Sequence, residues 1–150
     1  MRAKTFLPLV LGCAVATATF ADSSTIHSTT DARGHWLTAS GNLEVDIEPC
    51  NAALCGTVVK VLANHSMSNP GEAMHAVDTR PALGMEILKD FTVAGAGEWK
   101  GQIYNRENGN TYDCNLSLDS PDRLRIRAYR FLPLFGKTQI WTRVVTTAAK

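Results

Sequence analysis

The side chains in this sequence that could do chemistry are few, and their spacing fits no common catalytic site. His65, His75 and Asp78 lie in one irregular stretch and carry atoms that bind metals, but their spacing matches no common ligand rule. There is no Gly-x-Ser-x-Gly motif, and no serine or cysteine stands near a histidine in a recognisable arrangement. We therefore interpret the histidines as solvent-facing loop residues and expect no enzyme, metal or cofactor.

Three carboxylates, Glu44, Asp46 and Glu48, alternate with apolar residues. At this spacing they lie on one face of a strand, where a general acid and a general base could be paired. The alternative is the solvated face of a half-buried strand, which is the usual meaning of strict alternation. We favour the solvated face.

The cysteines suggest one disulfide and one isolated thiol. Cys50 and Cys55 flank an expected tight turn, and a bond between them suits an oxidising compartment. The alternative, half of a zinc site, has no second Cys or His pair at zinc spacing. Cys114 is left over, and alternation places it on an inward apolar face where a thiol is inert.

Arginines form the most conspicuous charge pattern. Arg123, Arg125 and Arg127 alternate and Arg130 extends the row; residues 123–150 hold seven basic and no acidic side chains. This row could contact anionic lipid head groups or another acidic partner. Alternatively, it is an ordinary exposed strand face paired with acidic neighbours such as Asp113. With a formal net charge of +1, nucleic acid is not an expected partner.

The first 21 residues have the parts of a secretory signal peptide. Arg2 and Lys4 form a basic start, residues 5–18 are apolar or small, and residues 19–21 fit a small-x-small cleavage site. The apolar run is shorter than the about 20 residues of a membrane-spanning helix. We predict export to the periplasm. A competing interpretation is a lipobox that ends at Cys13, which would make the chain a lipoprotein.

The remaining chain reads as strands joined by turns. Residues 22–33 are rich in Ser and Thr and are expected to be a flexible leader, followed by one domain over residues 34–146. Eight stretches have the composition and the period of two that indicate strands, namely residues 34–40, 43–48, 55–62, 83–91, 98–104, 111–118, 123–130 and 137–144. The sequence therefore predicts an all-β, eight-stranded antiparallel meander, and eight is a number at which such a sheet closes into a barrel.

Two connections stand out. Residues 63–82 form the longest irregular stretch, which is typical of a lid or binding loop, with a short helix expected near residues 71–77. Residues 131–136 form an apolar connection before the last strand.

Several runs of the chain form one recognisable set: Gly34–Thr38, Gly41–Val45, Pro49-Cys50 with Leu54–Val59, Arg80-Pro81 with Leu83-Gly84, Trp99 with Gly101 and Ile103-Tyr104, Glu107–Gly109 with Thr111-Tyr112, and Pro133–Gln139 with Trp141–Arg143. In these runs the chain resembles the DUF2147 family, exported bacterial proteins of unknown function. The resemblance implies a lipocalin-like (calycin-type) barrel. In that fold a Gly-x-Trp tryptophan lies at the barrel base under a late-strand arginine, so Trp36 and Arg143 are the implied closing pair, with Trp141 as an alternative partner.

The inward residues could either line a ligand cavity or fill the barrel. We expect the lining to include Val45, Ile47, Val59, Trp99, Ile103, Tyr112, Leu116 and Ile126. The predicted function is non-catalytic binding of a small apolar or amphipathic ligand or lipid in the cell envelope, by a monomer without a transmembrane span. The alternative is a filled barrel that serves as a structural or protein-interaction module through its arginine face or residues 63–82.

Overall fold

A computed structural model describes residues 31–145 as a closed barrel of eight antiparallel strands. The strands are β1 Gly34–Leu37, β2 Leu43–Cys50, β3 Ala53–Val61, β4 Glu86–Gly95, β5 Glu98–Asn105, β6 Asn110–Ser120, β7 Arg123–Tyr129 and β8 Lys137–Arg143. Each strand pairs with the next, and β8 returns to β1, where Trp36 lies opposite Arg143. The predicted eight-stranded meander barrel is confirmed. Closure leaves no unpaired sheet edge.

The connections between strands lie alternately at the two ends of the barrel. Short turns at residues 51–52, 96–97 and 121–122 lie at one end, which we call the closed end. The connections at residues 38–42, 62–85, 106–109 and 130–136 lie at the other, which we call the open end. The predicted apolar connection contains the short 3-10 helix Pro133–Phe135. Within residues 31–145 no helix has the length and apolar character needed to cross a membrane.

Two local predictions differ from the structure. The expected helix near residues 71–77 does not form; Gly71 has φ 92°, and His65 makes an isolated antiparallel bridge with Ala73. The fourth strand begins at Glu86 and not at residue 83, because Gly84 has φ 79° and the Met85 amide donates to Ala82 O in a turn. Positive φ is easily adopted by glycine but interrupts both helix and strand.

The half of the barrel nearer the closed end is filled with side chains. Its members are almost completely buried, among them Trp36, Ile47, Phe91, Trp99, Leu116, Leu124 and Ile126. Gly101 on β5 leaves room for the backbone and the Phe91 side chain of β4, because a Cβ there would lie 2.5 Å from Lys89 O and 2.7 Å from the Phe91 ring. A strand glycine with this environment marks a close approach of backbone and side chain.

One inward assignment was wrong by one residue. Val58, at 1% exposure, faces the interior, whereas Val59 is 38% exposed on the outer surface. Glu44 pairs with Lys60 but Val45 pairs with Val58, so Val59 is the extra residue of a β-bulge. A bulge inverts the alternation beyond it, and nothing local in the sequence announces it.

The ordered part of the chain begins before residue 34, where the predicted flexible leader was expected to end. Residues 31–33, which the sequence assigned to a flexible segment, contact the closed end of the barrel. Ala32 is fully buried and its carbonyl accepts a 2.8 Å hydrogen bond from Trp36 Nε1. The predicted signal peptide, residues 22–30 of the leader and residue 146 lie outside the described residues.

Candidate functional site

A cavity of about 310 Å³ lies between the filled core and the open end of the barrel. Apolar side chains from five strands form its floor and walls, including Leu43, Val58, Ile87, Ile103 and Trp141. Polar side chains border it as well, including Asn42, Asn105, Glu107, Tyr112, Lys137 and Gln139. An apolar lining with a few placed polar groups is typical of small-molecule sites.

Of the eight residues predicted to line a cavity, the structure places Ile103 and Tyr112 at its border. Five others pack into the filled half at no more than 8% exposure, namely Val45, Ile47, Trp99, Leu116 and Ile126. Val59 faces outward, as described above. Alternation identifies the inward face of a strand, but it does not say how far along the barrel axis a residue lies.

Residues 63–82, which we call the cover segment, lie over the cavity and are tied down by side chains of the neighbouring connections. Asn42, only 3% exposed, donates from Nδ2 to His65 O and accepts from His65 N at Oδ1, both at 2.8 Å. This reciprocal pair imitates a β-ladder step and satisfies the backbone N–H and C=O of His65. Lys137 Nζ, at the start of β8, donates to Met67 O at 3.3 Å.

Glu107 is the second attachment of the cover segment. Its carboxylate accepts hydrogen bonds from the Ser66 hydroxyl and from the Met67 amide, the latter at 3.0 Å. Burial acts to raise the pKa of Glu107, but these hydrogen bonds and those from Ser68 outweigh it, so the pKa lies below its ordinary value. An ionised Glu107 therefore holds the start of the cover segment.

Asp78 is the third attachment. It accepts from Arg80 and, at 2.8 Å, from the Tyr104 hydroxyl on β5, while Arg106 Nε donates to Arg80 O. The hydrogen bonds from Arg80 and then Tyr104 hold the pKa of Asp78 well below its usual range. Asp78 is thus bound within the cover segment and to β5. Within residues 31–145 no three His, Cys, Asp or Glu side chains are grouped so that they could hold a metal ion.

Sequence reasoning did not identify Asn42, Glu107 or Lys137 as site residues. Asn42 and Glu107 stand in turn-forming runs, where polar residues are ordinarily explained by the turn itself. Their roles depend on partners 23 and 41 residues away, so only the fold could reveal them.

The closed end is capped by Arg143, and Trp36 is the tryptophan beneath it. The guanidinium carbon lies 4.1 Å from the Trp36 ring centroid. Its three nitrogens donate to Pro121 O, Arg33 O and Asp31 O at 2.7, 2.8 and 3.0 Å. Burial lowers the pKa of Arg143, opposed by Asp122 and Asp31. Trp141 lies instead at the cavity, with Nε1 3.4 Å from Gln139 Oε1.

The glycine of Gly-x-Trp has a role in this cap. Gly34 has φ 116°, and a Cβ there would lie 2.8 Å from Arg143 Nη1. An L-residue at this position would be strained and would also displace the guanidinium. In the Gly-x-Trp motif, therefore, Trp36 supplies the ring under Arg143 and Gly34 leaves room for the guanidinium.

The predicted disulfide between Cys50 and Cys55 is confirmed. It links β2 to β3 at the closed end, with 5.7 Å between the Cα atoms. Cys114 is a free thiol within the described chain and is buried. Burial raises the pKa of Cys114 to about 12, which keeps the thiol protonated and unreactive at neutral pH.

The arginine row largely contacts the protein itself. Arg125 pairs with Asp119 at 2.9 Å, and not with the expected Asp113. Arg127 donates to Pro133 O and Thr138 Oγ1, both at 2.6 Å. The structure also places Arg130 over the Tyr112 ring, 5.4 Å from its centroid, while Arg123 is exposed at the start of β7.

The carboxylates of β2 lie on the outer surface, and two of them are close to Lys60 or His35. Glu44 is 3.4 Å from Lys60 Nζ and 3.6 Å from His35 Nε2, and Asp46 is 3.8 Å from His35 Nδ1. Glu48 is exposed. These are cross-strand pairs on the outer face of the barrel, away from the cavity.

A closed antiparallel meander with one filled end and a covered cavity at the other defines a lipocalin-like protein. A solved structure of similar fold is HP1028 from Helicobacter pylori, described as belonging to the lipocalin family. It is 19% identical, with a TM-score of 0.58, and the match covers 77% of this chain and 84% of that one. At this identity the likeness concerns the fold.

The family follows from the sequence match. The DUF2147 family, described as "Uncharacterized protein conserved in bacteria", matches residues 34–143. The chain belongs to this family, as its sequence runs predicted. No curated protein matches the chain.

Proposed function

We propose that this protein is an exported, non-catalytic binding protein that holds a small apolar or amphipathic molecule, or one end of a lipid, in its cavity. The observation that carries the proposal is the cavity itself, about 310 Å³ in volume and roofed by the cover segment. This volume is near the lower end of the ~300–1,000 Å³ of small-molecule sites. A completely filled barrel would have left no room for a ligand.

The lining indicates how such a ligand would lie. Val58, Ile87 and Trp141 offer hydrocarbon and indole surface at the inner part, suited to an alkyl chain or an aromatic ring. Asn42 and Lys137 border the outer part, where they would face a polar or anionic group. We therefore expect the apolar part of the ligand to lie against the core and its polar part to face the open end.

The non-catalytic part of the proposal is supported by how the charged lining residues are used. Glu107 holds Ser66 and Met67, and Lys137 donates to Met67 O. Both groups therefore have structural partners. Export is supported by the signal-peptide pattern and by the disulfide, and membership in a family of bacterial proteins is consistent with it.

Fluorescence titration with N-phenyl-1-naphthylamine tests ligand binding. Ala128 borders the cavity, so Ala128→Phe fills it, whereas Ala94→Phe adds the same side chain at an exposed position of β4. We expect saturable enhancement of probe fluorescence with the parent chain and with Ala94→Phe. Affinity should fall by about tenfold or more with Ala128→Phe, because the probe loses its volume and contacts. Circular dichroism of each variant checks that the barrel is intact.

Equal probe binding by both variants, or no saturable binding by the parent chain, would overturn the cavity proposal. The second result would favour the alternative function, a structural or interaction module. That alternative is supported by the filled half of the barrel and by a cover segment fastened at Asn42, Asp78 and Glu107.

A further inference from the structure

The connection between β7 and β8 exposes four large apolar side chains in a row. Phe131, Leu132, Leu134 and Phe135 are 90%, 57%, 78% and 81% exposed. Isolated exposed apolar residues are common, but a contiguous group of four with two phenylalanines marks an interaction surface.

Hydrogen bonds to the backbone of the connection hold these four side chains in their exposed positions. Arg127 donates to Pro133 O and Leu134 O, and the Gly136 amide donates to Pro133 O. A Cβ at Gly136 would lie 2.8 Å from Ala128 O, so glycine permits the connection to fold close against β7. The carbonyls of Pro133 and Leu134 therefore have hydrogen-bond donors within the protein, while the apolar side chains of the connection are exposed.

Exposed apolar side chains are concentrated at the open end. Among residues 31–145, eleven large hydrophobic residues are exposed, and eight of them lie at or beyond the strand ends on this side: Val61, Leu62, Val77, Leu83, Phe131, Leu132, Leu134 and Phe135. Val93 and Val145 lie toward the closed end. The open end is therefore the apolar pole of the barrel.

The apolar connection is flanked by positive charges. Residues 126–137 contain three basic side chains, Arg127, Arg130 and Lys137, and no acidic ones. Arg130 and Lys137, both exposed, stand on either side of the apolar row. Apolar side chains flanked by cations are the pattern by which proteins settle into the head-group region of anionic bilayers.

We propose that the open end docks on a bilayer that contains anionic phospholipids. Phe131, Leu132, Leu134 and Phe135 enter the head-group region, and Arg130 and Lys137 contact lipid phosphates. The mouth of the cavity then faces the bilayer. Docking does not require an occupied cavity, so it stands or falls separately from the ligand-binding proposal.

Co-sedimentation with vesicles tests the apolar contact. The whole chain is used, so that any N-terminal processing is the same in every variant, with vesicles of phosphatidylcholine and of phosphatidylcholine mixed equally with phosphatidylglycerol. Phe131→Ser with Phe135→Ser removes apolar surface at the open end, and Val93→Ser with Val145→Ser is the matched control, since those residues are 76% and 75% exposed. We expect the first pair to lower partitioning to the mixed vesicles by about tenfold or more and the control to leave it unchanged.

A second matched pair tests the charge. Arg130→Glu and Arg123→Glu make the same change of net charge; Arg130 directly follows β7 at the open end, and Arg123 begins β7 at the closed end. Arg130→Glu should weaken binding to mixed vesicles by about tenfold, whereas Arg123→Glu should have a much smaller effect. Thermal unfolding of each variant shows whether the barrel remains folded.

Three results would overturn the docking proposal. One is equal binding to neutral and mixed vesicles, and another is an equal loss in the open-end and closed-end variants. The third is a chain that does not bind vesicles and that Phe131→Ser with Phe135→Ser converts from dimer to monomer in sedimentation velocity, because the apolar row would then be a contact between two copies.

Discussion

Arg143 shows how one side chain can join distant parts of the chain. Its guanidinium lies on Trp36 and donates to carbonyls of residues 22, 110 and 112 positions away in sequence. These contacts hold Asp31, Arg33 and the β6–β7 turn at Pro121 against the closed end of the barrel. A planar fork with several donors suits this task better than an ammonium group.

Substitution of Arg143 should destabilise the barrel. We expect Arg143→Ala to lower the free energy of unfolding by about 3 kcal/mol, from the lost cation–π contact and from the carbonyls left without a donor. Arg143→Lys should lie between this variant and the parent chain. Urea unfolding measures all three, and an unchanged midpoint for Arg143→Ala would contradict a role of this residue in closing the barrel.

Cys114 should be chemically silent in the folded protein. Its thiol is buried beside Leu116 and its pKa is raised by burial to about 12. The thiolate is therefore scarce at neutral pH, and Ellman's reagent should modify this position only after unfolding. Comparison with the Cys114→Ser variant shows how much of the Ellman absorbance comes from Cys114. Rapid modification of Cys114 under native conditions would contradict the burial.

At the scale of elements, the cover segment is held by two carboxylates, Glu107 and Asp78, whose pKa values are lowered by folding. Folding lowers the pKa of Glu107 below its ordinary value of 4.5, so the carboxylate stabilises the folded state above that value. The contribution is lost as the pH falls through the lowered, folded-state pKa. The pKa of Asp78 lies lower still, so its contribution persists further into acid.

We therefore expect acid to loosen the cover segment first around Glu107. Hydrogen exchange at Met67, Ser68 and Asn69 should accelerate as the pH falls below 4.5, the ordinary value for Glu107, and through its lowered pKa in the folded state, beyond the intrinsic pH dependence of exchange. Glu107→Gln should show faster exchange already at neutral pH, by about tenfold, and little further change in acid. Glu72→Gln, an exposed site in the same segment, is the control. Identical protection in Glu107→Gln and the parent chain would remove Glu107 as an attachment.

At the scale of the whole molecule, the two ends of the barrel differ in structure. The closed end carries the disulfide, the arginine cap and the filled core, all of which stabilise. The open end carries the cavity, the cover segment and the apolar connection. The two sequence-based alternatives differed in whether the interior is filled or leaves a cavity, and the structure has one filled half and one half with a cavity.

This division predicts that stability and binding can be separated. Cys50→Ser with Cys55→Ser should lower the free energy of unfolding by about 2 kcal/mol, as expected for a short loop. Binding of N-phenyl-1-naphthylamine at a temperature where the variant is folded should be unchanged, because the disulfide lies at the end opposite the cavity. A marked loss of probe affinity in the folded variant would show that the two ends are coupled.

The sequence by itself determined the strands, their order and the pairing of Cys50 with Cys55. These depend on local information, since a period of two marks a half-buried strand and short turns join neighbours in a meander. The tertiary structure decided the rest: the inward turn of Val58 in place of Val59, the choice of Trp36 under Arg143, the partners of the arginine row, and the attachment of the cover segment by Glu107. The physical reason is that alternation specifies the face of a strand, whereas position along the barrel axis and contacts across dozens of residues arise only when register, bulges and closure are set together.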